Sequence, residues 1–204
     1  MDTPVPGCPL FRACLGYSQG SRFILLFSDS GVPPKATMHP YQNPFGLNLS
    51  LGERIRSFWV TMGGFGMIPW GPGTWGSLLG VGLYMLAGNM SLHLKVGIII
   101  AVFFLSIWMI EGLQRMRVDV QDASWIVIDE GVGIWIALLG WDGSLSMLIA
   151  LFVLFRLLDI FKPFPISAID EKGHTGLFVM LDDVLAGVFT WSLIYILSML
   201  RVFV

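Results

Sequence analysis

The chain has 204 residues, 55% of them hydrophobic and only 13% charged, with a mean hydropathy of +0.75. Soluble domains carry about a quarter of their residues as charges, so this chain has too few polar side chains to coat its own exterior, and much of that exterior is expected to face lipid. A net charge of −2, from 12 basic and 14 acidic residues, supplies no basic field for nucleic acid, and that partner class is excluded.

Residues 1–50 hold seven of the 11 prolines and one short apolar run, Phe23–Phe27. They read as a poorly ordered arm, with Met38 as a candidate alternative start. The first 22 residues lack the basic start, apolar core and small-residue cleavage site of a signal peptide. The two cysteines, Cys8 and Cys14, both fall in this arm, which argues against a disulfide framework or a cysteine zinc site. Residues 51–204 read as a single helical domain, opening with an amphipathic helix from Leu51.

No charged residue occurs from Ser57 to Leu94. The Gly/Pro-rich segment Gly63–Gly76 divides that stretch and is followed by an apolar helix expected over Trp75–Ala87. Four further apolar segments follow, Val96–Ile110, Trp125–Gly140, Leu145–Leu158 and Val184–Val204. The predicted fold is therefore all-α, a multi-pass helical membrane bundle of about five apolar helices plus the amphipathic one, with some crossings short or tilted. A buried soluble helical bundle is the alternative that the same pattern allows.

Alternating the five segments across a bilayer puts Arg12, Arg22, Lys35, Arg54, Arg56, Arg115, Arg117, Lys162 and Lys172 on one side and only Lys95 and Arg201 on the other. The positive-inside rule makes the first side cytoplasmic. The Gly/Pro loop, Asp122, Lys162 and the pair Asp182–Asp183 fall on it, with Asp129, Glu130, Arg156 and Asp159 within about two helical turns. One site on the cytoplasmic face accounts for all of them.

Asp129 and Glu130 stand in an apolar run, where an ionised carboxylate costs several kcal/mol unless it is paired or metal-bound. On a helix they lie about 100° apart, and Asp122, seven residues earlier, shares the face of Asp129. Oxygen ligands of this kind suit a hard cation such as Mg²⁺; an ion pair to Arg115, Arg117 or Arg156 is the plainer reading. Asp182 and Asp183 are expected to open the last helix, either as caps favoured by the helix dipole or as further metal ligands. Arg156, Asp159 and Lys162 are spaced three apart before Pro163. That spacing makes a phosphate clamp, with Arg as a planar fork and Lys as a mobile charge, or else snorkelling cations with an internal ion pair.

The segment Gly64 to Ser77 offers backbone amides and hydroxyls just before a helix, the ingredients of an anion site, with Gly73, Thr74 and Ser77 as the phosphate-binding candidates; a tight interhelical turn is the alternative. Gly71-Pro-Gly73-Thr-Trp-Gly76 satisfies the dinucleotide pattern literally, but no strand precedes it and no βαβ alternation follows. The histidines, His39, His93 and His174, lie in separate loops and suggest no metal site or relay.

Taken together, these blocks resemble the phosphatidylglycerophosphatase A family over roughly residues 51–200. The resemblance is carried by Gly64, Gly66, Pro69, Pro72, Gly73, Thr74, Gly76 and Ser77; by Asp122, Ile126, Val127, Asp129, Glu130 and Gly133; by Phe155 through Ile166; and by Gly176, Val179, Met180, Asp182, Asp183, Ala186 and Gly187. The chain departs from the family pattern at Gly71, Ala123, Thr175 and Phe178. The resemblance implies a Mg²⁺-dependent phosphatase of the bacterial cytoplasmic membrane that converts phosphatidylglycerophosphate to phosphatidylglycerol and phosphate in phospholipid synthesis. Its partners would be the phospholipid substrate and membrane lipids. It further implies that Asp129, Glu130 and one or both of Asp182 and Asp183 hold the metal. Arg156, Lys162 and the Gly/Thr loop would stabilise phosphoryl charge, Asp159 would orient Arg156 or reach the metal, and Asp122 or Asp129 would act as base.

Rival phosphatase chemistries lack their residues. No Cys-x₅-Arg occurs, no Asp-x-Asp-x-Thr/Val occurs, and Asp119-x-x-Asp122 is followed by Ala123-Ser124 rather than by the glycine of a lipid phosphotransferase helix. A small ion-coupled transporter or membrane scaffold is the non-enzyme alternative. It would want acids reachable from both sides, whereas the second side holds only Asp142.

Overall fold

The computed structural model describes residues 13–18, 21–26, 45, 49–88, 90–116, 123–170 and 175–199. The chain separates into two units, 1–42 and 43–204. In the first, β1 (Ala13–Ser18) and β2 (Ser21–Leu26) pair antiparallel, with Ala13 opposite Leu26 and Ser18 opposite Ser21. This hairpin lies within the segment expected to be an irregular arm. Its second strand contains most of the one apolar run in that stretch, of a composition that suits a strand.

Every regular element described in the second unit is helical. Helix α1 (Leu51–Val60) starts at Ser50, whose hydroxyl accepts from Glu53 N while the Glu53 carboxylate accepts from Ser50 N at 2.8 Å, a reciprocal cap. Helix α2 (Pro72–Leu86) begins with Pro72 behind Gly71 at φ +62°, a left-handed position that suits glycine. The others are α3 (Leu92–Met116), α4 (Ile128–Ala137, continued by a 3₁₀ turn to Gly140), α5 (Leu145–Phe161), the short α6 (Ile166–Asp170) and α7 (Gly176–Met199).

Two of the five expected apolar segments, α3 and α7, are long and apolar enough to cross a membrane. At 15 and 17 residues, α2 and α5 rise about 23 and 26 Å, short of the roughly 30 Å hydrocarbon core. Helix α7 starts eight residues before the expected Val184. Asp182 and Asp183 therefore lie in its second turn, not at its opening, and the capping reading of the pair is set aside. The physical reason is that Leu177, Met180 and Leu181 extend the apolar pattern upstream across the two acids, and Met180 is fully buried.

Helix α1 is fastened to α3 by Trp59 Nε1, which donates to Ser106 Oγ at 3.0 Å, and by Arg56, which lies over the Trp108 ring at 4.6 Å and donates to its carbonyl. Short α4 forms the centre and touches α2, α3, α5 and α7. Its Ile128, Val132, Ile134 and Ala137 are buried. Gly133 of α4 and Gly187 of α7 allow these backbones to meet, because a Cβ on Gly187 would collide with the Gly133 carbonyl oxygen. On the α2 side, Trp135 Nε1 donates to Gly80 O at 2.7 Å. The α4–α5 connection is pinned by Ser144 N–H, which donates to Asp142 at 2.8 Å and holds that carboxyl below its ordinary range.

Gly187→Ala is expected to destabilise the protein by about 1–3 kcal/mol through overpacking, read as a lower thermal midpoint in detergent. Gly82→Ala, where an added Cβ meets nothing within 4 Å, should leave the midpoint unchanged or slightly raised.

Candidate active site

The first turn of α4 carries Asp129 and Glu130 side by side, and the meeting of α4 with α7 at Gly133 and Gly187 brings Asp183 to them. One oxygen from each of the three carboxylates lies within 4.8 Å of the others. Asp129 and Asp183 are buried. Among the described residues, Glu130 Oε2 and Asp183 Oδ1 are buried with no hydrogen-bond partner. Ionised carboxylates accept and never donate, so a carboxylate trio with buried, orphaned oxygens is suited to a cation that neutralises and joins them. The donor set, oxygen only, fits a hard divalent ion.

The cations stand beside this trio, each already held by an acid of its own. Arg156 Nη1 donates to Asp159 Oδ2 at 2.6 Å and to Ser77 Oγ at 3.3 Å. Lys162, the left-handed C-cap of α5 at φ +40°, donates from Nζ to Asp182 Oδ2 at 2.6 Å. Asp182 thus pairs with Lys162 beside the three clustered carboxylates, and Asp183, its neighbour in sequence, joins the cluster itself. On a helix, successive side chains point about 100° apart, and the two acids face different partners.

Gly73 forms the wall opposite. A Cβ there would fall on Glu130 Oε1 and lie 3.1 Å from Arg156 Nη2, so the absence of a side chain opens the start of α2 towards both groups. Ser77, one turn on, is fully buried and donates to Gly73 O at 2.9 Å. Its oxygen is spent on Gly73 and Arg156, which puts it behind the guanidinium rather than on the open side. Thr74 is half-buried, and its N–H is occupied by Gly71 O at 2.9 Å.

Of the residues proposed from sequence, Asp129, Glu130, Arg156, Asp159, Lys162, Asp182, Asp183, Gly73 and Ser77 converge here, and Thr74 borders the group. Asp122 lies outside the described residues. The support that Ser77 gives Arg156, 79 positions away, had no signal in the sequence beyond the motif containing it.

The family model for phosphatidylglycerophosphatase A matches residues 58–198. The chain belongs to the phosphatidylglycerophosphatase A family. Among its relatives, the phosphatidylglycerophosphatase A of Haemophilus influenzae is 38% identical over 138 residues, covering 65% of this chain and 82% of that protein. The Escherichia coli enzyme of the same name is 31% identical over 136 residues, covering 66% and 78%. A protein of Bacteroides thetaiotaomicron named as a putative phosphatidylinositol-3-phosphatase is 39% identical over 140 residues, covering 64% and 86%. No solved structure matches the chain.

If the trio takes a divalent ion, adding Mg²⁺ to protein freed of metal by EDTA should raise the thermal midpoint by several degrees through ligand linkage. Asp183→Asn should lose most of that rise. A midpoint that ignores Mg²⁺ in the wild type would count against the trio as a metal site.

Proposed function

We propose that this phosphatidylglycerophosphatase A family member is a membrane lipid phosphatase that hydrolyses phosphatidylglycerophosphate to phosphatidylglycerol and phosphate. Residues 51–204 form the catalytic domain, and the active site opens on the cytoplasmic face of a bacterial inner membrane. The observation that carries this reading is the carboxylate trio Asp129, Glu130 and Asp183 lying beside Arg156 across the bare Cα of Gly73. Family membership supplies the reaction class. The shorter helices α2 and α5 join the two long ones in a multi-pass bundle around α4.

Asp129, Glu130 and Asp183 would hold Mg²⁺, which supplies Lewis acidity and charge neutralisation at a phosphoryl oxygen. Asp182, bound to Lys162, serves that lysine rather than the metal. Arg156 presents its planar fork to the phosphoryl oxygens, and Asp159 and Ser77 keep the fork in place. Lys162 adds a second positive charge, and the bare Cα of Gly73 lets Glu130 and Arg156 lie against the start of α2, with Thr74 at the border of the phosphate site. Water adds to phosphorus as the bond from phosphorus to the glycerol oxygen breaks. Asp122 or Asp129 accepts the proton that the attacking water loses, and the glycerol oxygen takes a proton from solvent water as it departs, leaving as a hydroxyl. Stabilisation of the equatorial oxygens by Arg156 and Lys162 is the chain's own contribution to the transition state.

The name of the Bacteroides thetaiotaomicron relative brings a second lipid phosphomonoester into view, phosphatidylinositol 3-phosphate. The decisive assay offers both lipids to the detergent-purified protein with Mg²⁺ or excess EDTA. Expected is phosphate release from phosphatidylglycerophosphate that needs Mg²⁺ and falls at least a thousandfold in Asp129→Asn. Gly73→Ala, which crowds Glu130 and Arg156, should cost about a hundredfold, the scale of an ångström-level misplacement. Release from the inositol lipid alone would move the assignment to that substrate. No release from either lipid by folded wild-type protein would remove the phosphatase reading and bring ion-coupled transport forward.

A further inference from the structure

A groove of about 420 Å³ runs between the end of α5, the turn after it and the outer half of α7. Its walls are almost wholly apolar and include Leu158, Phe164, Phe189, Leu193 and Ile196. On α7 it extends from Val188 to Ile196, a rise of about 12 Å.

The groove is joined to the charged site at two points. Along α7, Asp182 lies seven residues before Phe189, with Leu193 and Ile196 following at steps of four and three, so one helical stripe leads from the carboxylate into the groove. Along α5, Leu158 lines the groove and its carbonyl accepts the N–H of Lys162 at 2.9 Å. Lys162 is followed directly by the groove residues Pro163 and Phe164. The Lys162–Asp182 pair therefore stands at the head of an apolar channel, with the Arg156–Asp159 pair in the last turns of the same helix, α5. A molecule matching this sequence of surfaces has a phosphate at one end and a hydrocarbon chain at the other.

Resting on the phosphatase reading, we propose that this groove holds one acyl chain of the substrate lipid and so selects membrane phosphomonoesters over water-soluble ones. A second apolar cavity, of about 340 Å³ and lined by Phe58, Met62, Leu83, Ile128, Val132 and Trp135, is not equivalent. Its α4 residues centre about 110° around that helix from Asp129 and about 150° from Glu130, so the cavity does not lie on the acids' side of α4.

The test uses full-length protein in phosphatidylcholine vesicles with Mg²⁺ and two photoactivatable lipids carrying a diazirine midway along an acyl chain. One is the phosphonate analogue of diacylglycerol phosphate, whose phosphorus–carbon bond resists hydrolysis; the other is the same diacylglycerol without phosphorus. Adducts are mapped by mass spectrometry, and phosphate release by the same preparation is measured separately. The expected result is at least fivefold more labelling of the Phe189–Ile196 segment by the phosphonate lipid. That excess should be lost in Leu193→Trp, whose folding is checked by its thermal midpoint, and in Lys162→Met. Equal labelling by the two lipids would mean that bulk membrane lipid alone fills the groove, and would overturn the proposal. Head-dependent labelling without phosphate release would uphold the groove and remove the phosphatase reading, whereas release without head-dependent labelling would do the reverse.

Discussion

The site depends on the close approach of α4 and α7, in which Gly133 and Gly187 let two helix backbones touch. A side chain at either position would collide with the facing backbone, Gly133 with Asp183 O and Gly187 with Gly133 O, at the approach that brings Asp183 to Asp129 and Glu130. Phe155 of α5, fully buried beneath Gly133, closes the same contact from a third direction and belongs to the helix that carries Arg156 and Asp159. The packing of small against large residues at this crossing is therefore also the step that sets the distances among the charged groups. Without water to strengthen association between apolar helices, such close van der Waals fit is the main force available in a lipid setting.

Charge balance is the second constraint on the site. Among the described residues, Arg156 pairs with Asp159 and Lys162 with Asp182, while Asp129, Glu130 and Asp183 cluster beside them. That leaves the trio unbalanced before a phosphomonoester, itself close to dianionic, arrives. Bringing the substrate in without further positive charge would stack like charges in a medium where each costs several kcal/mol. The paired acids have a separate use. Asp159 and Ser77 restrict a long guanidinium side chain that would otherwise lose considerable rotamer entropy on binding, and Asp182 does the same for Lys162.

Much of this was legible because buried acids in apolar sequence are expensive and therefore informative. Asp129 and Glu130, the three-residue spacing from Arg156 to Lys162, and the Gly/Pro segment before α2 all announced themselves in that way. What the sequence could not show was direction. Asp182 and Asp183 look interchangeable as letters, yet one meets Lys162 and the other the carboxylates, a difference set by the start of α7 at Gly176 rather than near Val184. Ser77 reads as a phosphate-binding candidate, yet it is buried inside α2, where its hydroxyl bonds back to Gly73 O as hydroxyls in helices often do. The β1–β2 hairpin had too little pattern around it to be distinguished from the proline-rich stretch.

The shortness of α4 is part of the same design. Ten residues rise about 15 Å, half the hydrocarbon thickness, and a lipid-exposed helix of that length would leave its ends in an apolar medium. Enclosed by α2, α3, α5 and α7, it escapes that mismatch. Its N-terminus can then end inside the protein, where the positive end of the helix dipole meets Asp129 and Glu130. A full-length spanning helix would carry its unpaired N–H groups out to the headgroups, and the acids would lose both the dipole and the enclosure. A short helix sheltered by its neighbours thus holds two acids at its first turn inside an otherwise apolar bundle.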